Sequence, residues 1–281
     1  MSPTPLAPPP ARPPLPRLDI ARRPVAPWRV FWALLMRDVR VVQRELVSYL
    51  LRTTMQPLLF IIVFGYILGR LGIVGSGYSA SLLPGVLAVT LALSSLQSMV
   101  LPMVADFGWT REIDDRLLAP VGFEIVVLEK VVAAVGQGVI AALFVLPMAR
   151  LIMGPIPGLT VAHFGQVLLV TALGSAAFSC LGLVLGTVVQ PQQIGLMFSV
   201  ILTPMIFFGC AYYPWKGLSV IPAIQYAVLV NPLVYAAEGM RAVLTPGLPH
   251  MHLGLVLGML AALTLFFWII GLRSFRKRAT S

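Results

Sequence analysis

Charged side chains are scarce in this sequence. Asp, Glu, Lys and Arg make up 11% of its 281 residues, whereas 58% are hydrophobic and the mean hydropathy is +0.92. A soluble domain carries about 25% charged residues, so most of the surface of this protein must face something other than water. The scarcity excludes a soluble domain and predicts an all-α integral membrane protein with several spans.

Cysteines and catalytic motifs are also few. Cys180 and Cys210 lie in apolar stretches without a second thiol or a metal-ligand spacing, so we assign both to packing. The sequence has no G-x-x-x-x-G-K-[ST] phosphate loop, which excludes nucleotide binding by that route, and no H-E-x-x-H or G-x-S-x-G motif. The predicted spans lack Asp and Glu near their middle, which argues against a proton-driven transporter. We expect no catalytic residue, metal or cofactor in this chain.

Basic residues are the charges in excess, with 20 Lys and Arg, 10 Asp and Glu, and a net charge of +10. They stand between long apolar runs and form no single soluble patch, so we expect a membrane surface, and no nucleic acid, as their partner. Residues 1–27 are rich in Pro and Arg and lack the apolar core of a secretory signal. We predict that they form a disordered cytoplasmic tail.

Residues 28–50 are predicted to form an amphipathic helix that lies in the membrane interface. At about 100° per residue, the apolar side chains fall on one face and the arginines on the opposite one. The arginines would face anionic headgroups or a cytoplasmic partner. They include Arg37, Arg40 and Arg44.

Six further runs approach the ~20 apolar residues that cross a bilayer. Residues 214–250 are apolar but are broken by prolines and by Glu238 and Arg241. We predict two short re-entrant helices on the outer side there, with Glu238 and Arg241 forming a structural ion pair at i,i+3 spacing. The six predicted spans lie near 53–71, 82–104, 125–149, 161–188, 193–213 and 251–272.

The distribution of basic residues predicts the orientation. They are concentrated in the N-terminal region, in the loop after the second span and at the C-terminus, where Arg273, Arg276, Lys277 and Arg278 lie. Because basic loops stay in the cytoplasm, both chain ends are expected there. Six spans satisfy this arrangement, whereas five or seven would place one basic cluster on the wrong side.

The loop 105–124 has the densest charge cluster. A short helix with an apolar ridge and mixed charges suits docking into a groove of another protein; a solvated helix with local ion pairs is an equal alternative. Asp114 and Asp115 lack the further ligands that a metal site needs. The candidate docking residues are Trp109, Arg111, Glu112, Ile113, Asp114, Asp115 and Arg116.

Polar side chains form a stripe on one face of the second predicted span, at i, i+4, i+7 and i+8. Because polar groups facing lipid are costly, the stripe must face a hydrated path or another helix. We assign it to a path lining, with a helix interface as the alternative, and consider Phe207 and Phe208 as an apolar constriction or as plain packing. The stripe consists of Thr90, Ser94, Gln97 and Ser98. A seam of small residues on the fourth span predicts close helix packing, at Thr171, Ser175, Ser179, Gly182 and Gly186.

Three segments resemble, in order, the ABC type-2 permeases, which are the membrane subunits of bacterial ABC exporters. They are the amphipathic helix 31–49 with the following Gln56-Pro57, the stretch 110–120 (TREIDDRLLAP), and 208–215 (FGCAYYPW) with 231–241 (NPLVYAAEGMR). The last is the most specific, because the family places a Pro-Leu-x-Tyr-x-x-x-x-x-Arg run between spans five and six. The Pro-rich tail has no counterpart in the resemblance.

The resemblance implies that a separate ABC ATPase docks on residues 108–120 and on the interfacial helix, and that ATP and Mg act through that partner. Two permease copies, identical or different, would enclose one path, with spans two and five at the seam. It further implies export of an amphipathic drug, lipid or lipid-linked glycan across the bacterial plasma (inner) membrane. The alternatives are an intramembrane lipid-modifying transferase that uses Asp114 and Asp115 with a divalent metal, and a membrane scaffold that transports nothing.

Overall fold

A computed structural model describes residues 26–73, 78–108, 122–154, 156 and 158–279. Within these ranges all regular secondary structure is helical and no strand occurs, which confirms the predicted fold class. A 3-10 helix over Trp215–Val220 precedes the seventh helix. The helices are α1 Pro27–Arg44, α2 Leu46–Arg70, α3 Tyr78–Gly108, α4 Phe123–Met153, α5 Val161–Val188, α6 Pro191–Phe207, α7 Pro222–Val230, α8 Pro232–Leu244 and α9 Leu253–Ala279.

Five of these helices, namely α2, α3, α4, α5 and α9, are long and apolar enough to cross a membrane. They correspond to five of the six predicted spans, and α5 has the predicted bounds. Helices α3 and α4 meet at the end of the bundle that contains Gly108, and α4 and α5 meet at the opposite end, near Met153. We call these the Gly108 end and the Met153 end.

The predicted fifth span, 193–213, is a shorter helix than expected, because α6 ends at Phe207. The chain then turns, and Cys210 takes a positive φ of 53°. Two distant side chains hold this turn: the Asn231 amide donates to the Met205 carbonyl at 2.7 Å, and Arg241 donates to the Cys210 carbonyl at 3.0 Å. The sequence stays apolar through this turn, so hydropathy alone predicts an end of α6 that lies beyond Phe207.

The predicted interfacial helix, 28–50, is divided between two helices. The chain leaves the helical conformation at Glu45, with φ −108° and ψ 13°, so α1 ends at Arg44 and α2 already begins at Leu46. Helix α1 packs against α4. The apolar periodicity runs through this break because it registers the face of each residue and not the direction of the helix axis.

Helix α3 lies at the centre of the bundle, in contact with α4, α5 and α8, and α5 also packs against α9. The small-residue seam of α5 explains how closely α3 and α5 approach. A Cβ atom added at Gly182 would lie 2.9 Å from the Cβ of Met99, and one added at Gly186 would lie 2.7 Å from the Cβ of Met103. Larger residues would force these helices apart, as expected for small residues at a helix interface.

Residues 214–250, for which two short re-entrant helices were predicted, contain the 3-10 helix Trp215–Val220 and helices α7 and α8. Helices α7 and α8 are bent by 100° relative to each other at Asn231. The Asn231 side chain caps α8 by accepting a hydrogen bond from the Leu233 N–H at 2.9 Å, and a proline follows at the first helical position, where its missing N–H costs nothing. Helix α8 is buried against α3, α5 and α9. Its depth in the membrane stays a prediction.

Candidate functional site

The polar stripe of α3 faces other helices. Thr90 and Ser94 are each 2% exposed, and Gln97 and Ser98 are half-buried. Thr90 satisfies its hydroxyl within its own helix, by donating to the Val86 carbonyl at 2.8 Å. The other members turn toward α2 and α4, as polar groups in an apolar bundle must.

Tyr49 of α2 and Gln137 of α4 complete a hydrogen-bond network with this stripe. The Tyr49 hydroxyl is hydrogen-bonded to the Ser94 hydroxyl and donates to the Gln137 carbonyl at 2.9 Å. The Ser98 hydroxyl donates to the Gln137 side-chain oxygen at 2.7 Å. The stripe therefore joins α3 to α2 and to α4 through polar contacts.

Two chambers open beside this network, and together we call them the polar cleft. The chamber against α3 has a volume of about 160 Å³ and is lined by Thr53, Leu101 and Pro102 as well as by the polar network. The chamber against the end of α1 has about 310 Å³ and is lined by Val41, Val42, Glu45 and Ser48. Both chambers are also lined by Tyr49, Arg52 and Gln137.

A narrow cavity of about 30 Å³ adjoins the polar cleft toward the Met153 end. Thr53 lines both spaces, which places them next to each other along α2. The narrow cavity is mainly apolar, so the side chains change from polar to apolar along one continuous groove. Its other lining residues are Gln56, Pro57, Phe60, Val86, Val89, Thr90, Leu93 and Tyr212.

The backbone of α2 is irregular where it borders the narrow cavity. Pro57 lies inside the helix and has no N–H to donate to the Thr53 carbonyl, so one helical hydrogen bond is absent there. Four residues later the helix becomes a π-helix, over Ile61–Ile67. π-Helical turns are rare and frequently occur at functional sites, and this one lies directly after the wall of the groove.

Aromatic rings close the narrow cavity at its apolar end. The rings of Phe60 and Tyr212 are stacked with centroids 5.6 Å apart, and Phe64 stacks on Phe60 at 5.4 Å. Phe207 is one of the two predicted constriction residues. Its ring centroid lies 6.3 Å from that of Tyr212. The other, Phe208, is 52% exposed. The rings that line the cavity are thus Phe60 and Tyr212, while the constriction role of Phe207 and Phe208 stays a prediction.

The arginines of α1 lie on exposed positions. Arg37 forms an ion pair with Asp38, with 3.3 Å between Nε and Oδ1, and Arg40 and Arg44 are exposed. The predicted docking segment lies outside the described residues, from which 109–121 are missing. This applies to Trp109, Arg111, Glu112, Ile113, Asp114, Asp115 and Arg116, whose role stays a prediction, as does that of the α1 arginines.

A buried ion pair links α3 and α4 close to the Gly108 end. The Lys130 ammonium lies 2.7 Å from the Asp106 carboxylate, and both side chains are less than a tenth exposed. Glu129, beside Lys130, is fully buried. Asp106 was expected in the loop 105–124, but α3 continues to Gly108 and carries Asp106 into the bundle.

Glu238 and Arg241 form an ion pair at the Met153 end, and both side chains are fully buried. The Glu238 carboxylate also accepts hydrogen bonds from the N–H groups of Trp215 at 2.9 Å and Met251 at 2.8 Å. Arg241 in turn donates to the Cys210 carbonyl at 3.0 Å. The pair thereby connects α8 to the turn after α6, to the 3-10 helix and to the start of α9.

The sequence pattern did not point to the residues that other helices contribute to the cleft. Tyr49 was placed on the apolar face of the interfacial helix, and Arg52 and Gln137 were given no role. A glutamine in an otherwise apolar span was a usable signal for Gln137, because such a side chain needs a polar partner. No comparable signal existed for Tyr49, whose position depends on the break at Glu45.

The family model of the ABC-2 type transporter matches residues 29–245. The match covers both walls of the polar cleft, the predicted docking segment and the Glu238–Arg241 pair, and it ends before α9. A comparison with curated proteins gives no match.

Proposed function

Because the chain belongs to the ABC-2 type transporter family and is a membrane subunit of an ABC transporter, we propose that it is the permease of an ATP-driven exporter whose substrate passes along the polar cleft. The cleft carries this proposal. Tyr49, Arg52, Ser94, Gln97 and Gln137 gather in one cleft between α2, α3 and α4. Grouped polar side chains at membrane depth favour a substrate path over plain helix packing.

The groove favours an amphipathic cargo. Its polar part could hydrogen-bond to a headgroup, while the narrow cavity beside Phe60 and Tyr212 could contact an apolar chain. A pocket that is mostly apolar with a few convergent polar groups is typical of small-molecule sites. We propose a drug, a lipid or a lipid-linked glycan, moved out of the cytoplasm or out of the inner leaflet of the bacterial plasma membrane.

Members of this family normally work with an ABC ATPase. We propose that the ATPase docks on residues 109–121 and on α1, and that it supplies ATP and Mg. The docking segment connects α3 to α4, and both helices line the polar cleft. The Asp106–Lys130 pair ties them together just inside the bundle. A state of the ATPase that moves the segment would therefore shift α3 and α4 against α2.

Exposed apolar side chains suggest where a second permease copy would pair. Helix α3 is covered mainly by helices of its own chain, whereas α2 and α6 expose large apolar residues such as Leu51, Leu59, Leu196 and Val200. Exposed apolar surface in a span faces either lipid or a partner helix. The resemblance implied a seam at spans two and five; because α3, the second span, is covered within its own chain, we propose that α2 takes its place beside α6, with the termini of both copies in the cytoplasm.

Substitutions that fill the polar cleft test this function. Ser94→Phe places an aromatic ring into the 160 Å³ chamber, and we expect it to abolish ATP-dependent transport in vesicles that contain the chain and its ATPase. Val132→Phe, on an exposed position of α4, is the matched control and should transport normally. Transport by Ser94→Phe at the wild-type rate would refute the assigned path.

Charge reversal in the docking segment tests the partner. Glu112→Lys and Asp115→Lys are expected to abolish co-purification of the ATPase, since mixed charges on a docking helix set its register. The reversal Asp38→Lys on α1 would show whether that helix contributes to the same contact. Retention of both assembly and export by the two segment variants would show that docking occurs elsewhere.

A further inference from the structure

Arg52 is the one cation among the described residues that line the polar cleft. It lies seven residues after Glu45, which corresponds to about 10 Å along α2 from the break at the end of α1. Its side chain lines both chambers and is exposed. A guanidinium thus lies within a helix of spanning length, beside the hydrogen-bond network of Tyr49 and Gln137.

Within the described part of the chain, Arg52 makes no ion pair and no side-chain hydrogen bond. Glu45 lines the wider chamber but lies beyond the 4 Å of an ion pair. In contrast, Lys130 and Arg241 in the bundle are each paired with a carboxylate. An arginine without a protein anion in a helix of spanning length is a candidate functional residue.

In the smaller chamber, Arg52 is surrounded by neutral side chains, and no acidic residue of the described ranges lines this chamber. The Gln97 amide lines this chamber and, among the described residues, forms no hydrogen bond. The hydroxyl groups of Ser94 and Ser98 lie on the same wall, but their protons are already donated within the hydrogen-bond network. A guanidinium with the Gln97 amide beside it suits an oxyanion, because bonds from a charged donor to an anion are the strong ones.

The apolar side of the groove specifies the remainder of the ligand. Beyond Thr53 the lining changes to Val86, Leu93, Phe60 and Tyr212. A head bound at Arg52 would therefore continue into an apolar chain directed toward the Met153 end. The wider chamber, at about 310 Å³, reaches the lower limit of the ~300–1,000 Å³ that small-molecule sites have, and the smaller chamber, at about 160 Å³, adjoins it.

We propose that the polar cleft binds an amphiphile with an anionic head, phosphate or carboxylate, whose oxyanion pairs with Arg52 and whose apolar chain follows the narrow cavity. This assignment names the substrate class of the proposed exporter and so rests on the proposed function. It excludes cationic amphiphiles as preferred cargo, because the guanidinium would repel them across the small chamber.

Binding to the purified full-length chain tests the assignment without the ATPase. The chain is held in a neutral maltoside detergent, and native mass spectrometry counts bound dodecyl phosphate, dodecanoate, dodecylphosphocholine or dodecyltrimethylammonium. We expect the two anionic probes to bind on the order of tenfold or more tightly than the other two, the difference typical of a hydrogen bond to a charged group. Inorganic phosphate alone should bind weakly, since it lacks the chain.

Variants assign the preference to the residue. Arg52→Gln should remove it and Arg52→Lys should keep part of it, because lysine retains the charge but not the planar fork. Arg44→Gln, an exposed arginine outside the cleft, is the matched control and should keep it. Gln97→Leu provides a second variant that lacks a donor but keeps the charge, and it should weaken anionic binding less than Arg52→Gln.

Three outcomes overturn the assignment: equal binding of all four probes, an anionic preference that survives Arg52→Gln, or binding of inorganic phosphate as tight as that of dodecyl phosphate. Each is distinguishable from failure of the proposed function. If the preference is absent while Ser94→Phe still abolishes transport, the cleft is a path and only the anionic class is wrong. If the preference is present while Ser94→Phe transports normally, the anion site stands and the path is wrong.

Discussion

The buried pair of Glu238 and Arg241 leads to the sharpest prediction on stability, because its two members have unequal support. The Glu238 carboxylate accepts from Arg241 and from two backbone N–H groups. Arg241 has the carboxylate and the Cys210 carbonyl. Removing the arginine therefore leaves a carboxylate that keeps two donors, whereas removing the carboxylate leaves a guanidinium and two N–H groups with lost acceptors.

The magnitudes follow from this asymmetry. Removing one partner of a buried ion pair costs about 3–5 kcal/mol, and we place Arg241→Met at the lower limit and Glu238→Leu at the upper one. For a chain of this size, 1 kcal/mol corresponds to about 2–4 °C in melting temperature. The expected losses are therefore about 6–12 °C for Arg241→Met and about 10–20 °C for Glu238→Leu.

Thermal unfolding of the detergent-purified chain measures these losses, and Trp215, whose N–H is bound to Glu238, is a fluorescent reporter at the site. Arg150→Met, at an exposed arginine of α4, is the control and should melt within about 2 °C of wild type, as surface changes do. The double variant should melt no lower than Glu238→Leu, because residues in contact are not additive. Strictly additive losses, or a smaller loss for Glu238→Leu than for Arg241→Met, would refute the reasoning.

Two further predictions concern packing and the second buried pair. A Cβ at Gly85 would overlap the backbone carbonyl of Ala211, so Gly85→Ala should sharply reduce the monodisperse fraction in size-exclusion chromatography, whereas Gly136→Ala, with no atom within 4 Å of the added Cβ, should not. Lys130→Met leaves the Asp106 carboxylate buried without its cation and should cost about 3–5 kcal/mol in thermal unfolding. Adding Asp106→Asn should recover part of this loss; a double variant less stable than the single one would contradict the pairing.

Local composition was sufficient for the main features of the architecture. The bounds of α5 agree with the predicted span 161–188, and five predicted spans have helices of spanning length. Hydropathy predicts these spans because a helix in lipid satisfies all its backbone hydrogen bonds within its own segment. Each span can therefore be predicted without its neighbours.

Contacts between residues that are distant in the sequence explain where hydropathy predicted helix ends or loops incorrectly. Apolar residues continue to 213, yet α6 ends at Phe207, where Asn231 binds the Met205 carbonyl in the last turn of α6 and Arg241 binds the Cys210 carbonyl in the turn that follows. Asp106 was assigned to a loop, yet Lys130 of the next helix pairs with it inside the bundle. Helical periodicity depends only on residues within a window of the same segment, and these partners lie far outside that window.

From the residues alone follow a helical membrane protein, a polar stripe on α3 and the resemblance to the ABC type-2 permeases. What the stripe faces depends on how the helices pack. Its partners Tyr49 and Arg52 come from α2 and Gln137 comes from α4. Periodicity along one helix specifies a face, but the partner of that face depends on how the helices pack.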